Sequence, residues 1–336
     1  MKNILHQTAK KLVRSPKGIL ASDERPSSAN KNLAKAGIEP SDEMRHRLRE
    51  LFINTPGIED YINGIILQDE TFWQKDFEGR LFRETLIEKG ITIIIKVDGG
   101  TVEMPGFPEE KITAGLDGLS TRLERYFNHG ARAAKWRSVF KIGDRLPTDE
   151  NITANSIDLA EYAGFCQKYN IVPIVEPEVL LDGNHSIEKA EKVTTNVLKT
   201  VFDYLKDYRI DLRGVILKSS MVLPGKDSLQ SKTPQEIAEA TVRALLKSVP
   251  KEVPGIVFLS GGQGPQEATI NLNAIAKKEP LPWDITFSYL RAIEGPATKI
   301  WAGKDVNIHA AREEFIERLR LNVEADKGKY DKNLEK

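Results

Sequence analysis

Eight short apolar runs, each leading into a polar or ionisable cluster, recur along this chain and narrow the folds open to it. They lie at 18–22, 63–67, 91–95, 133–140, 171–175, 214–217, 255–259 and 285–287. Most are rich in Ile and Val and too short for a core helix, so they read as strands. Near-continuous apolarity, rather than strict alternation, suits parallel strands covered on both faces. The intervening stretches have helical spacing, notably 155–169, 186–208, 233–246 and 308–323. Thr233-Pro234-Gln235-Glu236 carries an N-cap signature with proline in the first turn. Strands and helices alternating in this way predict an α/β chain, a closed (β/α)8 TIM barrel forming a single domain over 1–336. Extra helices are expected at both ends, and a polar, frayed tail at about 324–336. A doubly wound open sheet is the competing architecture.

Composition removes several function classes. The 336 residues carry 49 basic and 49 acidic side chains, so no global field attracts nucleic acid or an anionic membrane. Cys166 is the sole cysteine, which excludes an intrachain disulfide and fits a reducing compartment, hence a cytoplasmic protein. No apolar run approaches the roughly 20 residues needed to span a bilayer. Ile4, Leu5, Thr8 and Leu12 read as the docking face of an N-terminal helix. The five histidines are scattered, with no metal-ligand spacing, so neither a metal nor another cofactor is expected.

In a parallel barrel the reacting groups gather where strands end. The runs lead to Asp23-Glu24, Gln68-Asp69-Glu70, Lys96-Val97-Asp98, Glu176-Pro177-Glu178, Lys218-Ser219-Ser220, Ser260-Gly261-Gly262 and Ser288, with Arg291 beyond, while Lys135 and Arg137 lie inside the fourth. Residues two apart share a face of a strand, which pairs Lys135 with Arg137, Glu176 with Glu178, and Lys218 with Ile216. A lysine at the end of an apolar wall can supply a neutral amine that attacks a ketone. A nearby carboxylate such as Glu176 would then shuttle protons. From spacing alone, a strand-end lysine snorkelling to solvent explains Lys218 equally well. Ser260-Gly261-Gly262 after the seventh run can form a phosphate nest with Arg291 as its cation, although an ordinary glycine turn has the same sequence. Lys96 and Arg137 offer a second anion grip, which points to a substrate phosphorylated at both ends.

These residues sit in longer segments that resemble the class I fructose-bisphosphate aldolases. The segments include GILASDE, KVDGG, GLDGLSTRL, KWRSVFKIGD, IVPIVEPEVLLDGNH, LKSSMVLPG, FLSGGQG and TFSYLRA, and the likeness runs from about Lys17 to Tyr330. The resemblance implies metal-free, reversible cleavage of fructose 1,6-bisphosphate to dihydroxyacetone phosphate and glyceraldehyde 3-phosphate, in glycolysis and gluconeogenesis. It implies Lys218 as the Schiff-base lysine and Glu176 as acid/base. Lys135 assists, Glu178 completes the charge network, and Asp23 takes the C4 hydroxyl proton. Ser260, Gly261 and Arg291 match the ketose C1-phosphate site, and Lys96, Arg137 and Ser28 match the other phosphate site. A homotetramer is expected by analogy.

The chain departs from the animal pattern at four places. Glu24-Arg25-Pro26-Ser27-Ser28 replaces Glu-Ser-Thr-Gly-Ser, Asn32 replaces an arginine, and Leu290 replaces a glycine. The sequence stops soon after Tyr330, where the animal enzymes continue to a tyrosine that assists proton transfer. These departures keep two alternatives open: the same chemistry on sedoheptulose 1,7-bisphosphate or fructose 1-phosphate, and a non-catalytic sugar-phosphate-binding scaffold.

Overall fold

A computed structural model describes residues 2–335. Among these described residues there are ten strands: β1 (Gly18–Ser22), β2 (Ile62–Leu67), β3 (Thr92–Lys96), β4 (Gly100–Glu103), β5 (Lys111–Ala114), β6 (Ala131–Phe140), β7 (Val172–Val179), β8 (Ile216–Ser219), β9 (Gly255–Phe258) and β10 (Asp284–Tyr289). Eight close into a barrel in the order β1-β10-β9-β8-β7-β6-β3-β2, every pairing parallel. This is the expected TIM barrel, with strands buried between helices outside and side chains inside. Closure also removes the free strand edges that an open sheet would leave.

Strand boundaries shift by a few residues, and the shifts matter for the site. The fifth barrel strand, β7, continues through Val179, so Glu176 and Glu178 project from the strand itself rather than from a loop beyond it. Likewise β8 begins at Ile216 and contains Lys218, Gly214 instead ending a short 3-10 turn. The β4–β5 antiparallel hairpin was not foreseen. Its cues are the β-branched residues Thr101, Val102, Ile112 and Thr113, joined by a turn with Gly106 in the left-handed region.

The helices start where short polar side chains can satisfy the first free N–H groups. Ser186 caps Ile187–Asp207, Thr233 forms a capping box with Glu236 at Pro234–Ser248, and Thr148 caps Asp149–Lys168. The last of these begins six residues before the sequence pattern suggested, because its first turn uses Asn151 and Ile152, both buried.

The tail is not frayed over its described length. Helix Ile308–Asp326 runs on into a segment whose Tyr330 ring is buried. The Tyr330 N–H donates to Asn273 Oδ1 at 2.9 Å, its hydroxyl donates to Glu335 at 2.8 Å, and Arg318 Nη1 donates to Glu335 at 2.7 Å. Polarity misled the reading here, since Tyr330 and Glu335 both find partners.

The helix Lys2–Val13 plugs the base of the barrel. Leu5, Ala9, Leu12 and Val13 pack with Ile19, Ile66, Ile94, Ala133, Val172, Ile174, Ile216 and Val257, the inner layer of the strands. Ile4, expected on the docking face, is 57% exposed, and the Ala9/Val13 pair takes its place. Each fully buried Leu or Val contributes about 1.5–3 kcal/mol, so this one face is a large part of what keeps the base dry. Gly255 lies directly under the plug, where an added Cβ would come within 2.5 Å of Val13 Cβ. Gly255→Ala is therefore expected to destabilise the fold by about 1–3 kcal/mol. Val13→Ala in the same chain should recover part of that loss, a non-additivity read from urea midpoints of the two single variants and the double variant.

Candidate active site

The upper end of the barrel opens into a cavity of ≈ 480 Å³. Twelve of the thirteen residues singled out from the sequence line it: Asp23, Ser28, Lys96, Lys135, Arg137, Glu176, Glu178, Lys218, Ser260, Gly261, Ser288 and Arg291. Gly262 stands outside the lining, its backbone in the left-handed region at φ 92° and thus part of the turn that presents Ser260 and Gly261.

Register explains why these groups converge. Lys96 on β3 pairs with Lys135 on β6, Arg137 with Glu176 on β7, and Lys218 on β8 with Val257 on β9. Four cations, Lys96, Lys135, Arg137 and Lys218, thus share the mouth with four carboxylates, Asp23, Asp98, Glu176 and Glu178. Burial would be prohibitive for any one charge alone, and each is matched.

The innermost groups form a continuous chain of ion pairs. Lys218 Nζ lies 3.1 Å from Glu176 Oε1, Lys135 Nζ lies 3.0 Å from Glu176 Oε2, and Lys135 Nζ lies 2.7 Å from Asp23 Oδ2. The side chains of Lys218, Glu176 and Lys135 are only 3–4% exposed. Lys218 therefore points into the cavity rather than to bulk solvent, which disposes of the snorkelling alternative. Glu176 Oε2 has no aligned hydrogen-bond donor, the Lys135 contact being one of charge.

Electrostatics sets the resting protonation of this chain. Burial pushes Asp23 and Glu176 upward, but the cations around them win. Lys135, Lys218 and Lys96 hold Asp23 well below the usual carboxylate range, and Lys135, Lys218 and Arg137 hold Glu176 below its own. Lys135 experiences the converse, since Asp23 and Glu176 outweigh burial and raise it above an ordinary lysine. It is a fixed cation between two anions. Lys96 behaves differently: burial first, then repulsion from Lys135, bring it down to about 8 despite its ion pair with Asp98. Arg137 is held at Glu178, Nε to Oε2 at 2.5 Å.

The opposite wall suits an anion. Ser260 and Gly261 follow β9 in a turn braced by Gln263, whose Nε2 donates to Ser260 O at 3.0 Å and whose Oε1 accepts from Asn271 at 2.7 Å. Arg291 opens the helix Arg291–Trp301, adding the positive end of a helix dipole to its own charge. The Ser288 hydroxyl is buried without a partner on the same wall. Leu290 lines the cavity while its side chain packs on the inner apolar layer of the barrel. Asn32 donates to Glu24 Oε1 at 2.5 Å, also on the lining.

Sequence reasoning missed Arg25, Lys31 and Lys35 as lining groups, and placed Asp98 at a strand end without giving it a role. Lys31 and Lys35 are four apart on helix Pro26–Lys35, which springs from the end of β1, so their shared face was available as a signal. Tyr330 is not among the lining residues and is engaged with Glu335.

Comparisons with known proteins agree with this geometry. The family described as "Glycolytic: Fructose-bisphosphate aldolase class-I" matches residues 4–336. The chain is similar to cytosolic fructose-bisphosphate aldolase 4 of Arabidopsis thaliana, at 47% identity over 94% of this chain and 80% of the relative. It is also similar to a probable class 1 fructose-bisphosphate aldolase of Xylella fastidiosa (strain Temecula1 / ATCC 700964), at 45% identity over 97% and 98%. Among solved structures, fructose-bisphosphate aldolase from Plasmodium falciparum, in complex with TRAP and a small-molecule inhibitor, superimposes with a TM-score of 0.96 at 43% identity. That match covers 98% of this chain and 95% of the other. The chain belongs to the class-I fructose-bisphosphate aldolase family.

Proposed function

We propose that this lyase cleaves fructose 1,6-bisphosphate reversibly to dihydroxyacetone phosphate and glyceraldehyde 3-phosphate through an iminium on Lys218. The observation that carries the reading is the unbroken contact series Lys218–Glu176–Lys135–Asp23 at the base of the cavity. An ammonium cannot attack a carbonyl, so Lys218 must first lose a proton. Glu176 is in contact to take it. Once Lys218 is neutral, one of the cations holding Glu176 down is gone, which favours its acid form. The amine then adds to the ketone carbon, and the proton on Glu176 leaves with the hydroxyl as water. The resulting iminium accepts the electron pair of the C3–C4 bond while Asp23 takes the C4 hydroxyl proton. The aldehyde departs, leaving an enamine that is protonated and hydrolysed to free the ketone product.

Lys135, a permanent cation between the two carboxylates, keeps Asp23 anionic as a base and orients Glu176 toward Lys218. Glu178 holds Arg137 in place. Ser260, Gly261, Ser288 and Arg291 receive the phosphate next to the ketone carbon, the Gly262 turn shaping the nest. Lys96, Arg137 and Ser28 receive the distal phosphate. The class-I family works without a metal, and no cofactor is assigned. We take the compartment to be the cytoplasm, in line with the name of the Arabidopsis relative, and the assembly to be a homotetramer, as in the family.

Two outcomes test this. Borohydride reduction in the presence of dihydroxyacetone phosphate should leave an adduct on Lys218, found by peptide mass analysis. Lys218→Met should abolish the adduct and lower kcat by roughly ten-thousand-fold or more. An adduct on another lysine, or none, removes the mechanism. The second outcome concerns Lys96, which is protonated below about pH 8 and loses its charge above it. The kcat/KM for the bisphosphate should fall by roughly tenfold as Lys96 becomes neutral. Fructose 1-phosphate, which lacks the distal phosphate, should not show that alkaline limb, and the two pH profiles measured side by side decide the point.

A further inference from the structure

We infer that Arg25 is a specificity-determining residue of this chain, a third cation that grips the distal phosphate of a sugar bisphosphate beside Lys96. The inference rests on the placement of that phosphate proposed above and adds a residue that nothing else assigns to it.

Arg25 sits where β1 hands over to helix Pro26–Lys35, and its side chain crosses the cavity mouth to the far wall. There Nη2 lies 3.4 Å from both the carbonyl oxygen and Oδ1 of Asp98. The same Oδ1 receives Lys96 Nζ and the Gly100 N–H, the latter at 3.2 Å. One buried carboxylate oxygen therefore brings the two cations together on the lining. Asp98 Oδ2 is buried with no partner, so this carboxylate has no other donor to hold it.

Contacts of 3.4 Å are long for a charge-assisted bond, which ordinarily closes to about 2.7–2.9 Å. Asp98 thus locates Arg25 without using it up. Among the described residues, the Nε and Nη1 donors of Arg25 have no acceptor. Arginine presents five donors in a planar fork, so the long contacts of Nη2 to Asp98 leave Arg25 with donors to spare on the cavity lining. The side chain is 37% exposed, the condition of a group that meets a ligand rather than one buried for packing.

The hairpin is shaped for this seat. Gly100, the first residue of β4, has φ 90°, and a Cβ there would collide with the guanidinium of Arg25. A side chain at 100 and the present position of Arg25 are mutually exclusive. Lys31 and Lys35 also line the cavity, but both are exposed, and no hydrogen bond or ion pair among the described residues fixes either amine in place.

The test separates the two ends of the substrate. Arg25→Ser should raise KM for fructose 1,6-bisphosphate roughly tenfold, with kcat little changed and KM for fructose 1-phosphate unaltered. Arg25→Lys should recover part of the affinity, because it restores charge without the fork. Equal shifts on both sugars would show Arg25 to be merely structural, and no shift on either would show it idle. Either outcome overturns the inference. Lys96→Met, measured in parallel, distinguishes the two levels of the argument. If it weakens the bisphosphate selectively while Arg25→Ser is silent, only the role of Arg25 falls. If both are silent, the distal phosphate does not bind there.

Discussion

The buried ammonium of Lys135 is the interaction on which the rest of the site depends. It touches carboxylates from two other barrel strands or their ends, Asp23 after β1 and Glu176 on β7, and itself comes from β6. Removing any member of such a buried set leaves an uncompensated charge, which costs far more than a surface pair would contribute. That cost enforces register across the barrel. It also sets two like side chains in different surroundings, since Lys135 is locked as a cation between two carboxylates while Lys218 touches Glu176 alone. Two lysines with one strand between them in the barrel thus differ in their neighbours alone.

Much of this arrangement was readable before any coordinates. Barrel strands are buried on both faces, so they appear as dense Ile/Val runs, and all eight were located. The residues lining the cavity were located because strand ends in a parallel barrel share one side, which turns a one-dimensional list into a spatial cluster. Glu176 and Glu178 illustrate the residual error. The polar Glu176-Pro177-Glu178 cluster made the fifth run look shorter than it is, although the strand continues through it to Val179.

What escaped the reading depended on contacts between segments remote in sequence. Arg25 had been noted only as a departure from a family pattern, because nothing local says that its side chain spans the mouth to Asp98 or that Gly100 leaves it room. The tail was misjudged for the same reason: Tyr330 and Glu335 look solvated until Asn273 and Arg318 are placed next to them. The β4–β5 hairpin was legible in principle. Its four-residue strands are half-exposed, so they lack the apolar density by which the others were recognised.

Leu5, Ala9, Leu12 and Val13 close the base of an interior already packed by the strands' own side chains, so the cavity opens at one end of the barrel. Reactant and both fragments must use one doorway, and traffic through it is sequential. On the iminium mechanism proposed above, the free aldehyde fragment would have to clear that doorway before water could reach the fragment held on Lys218. A short amphipathic segment at the far end of the molecule thus helps to keep every exchange on one side of the barrel.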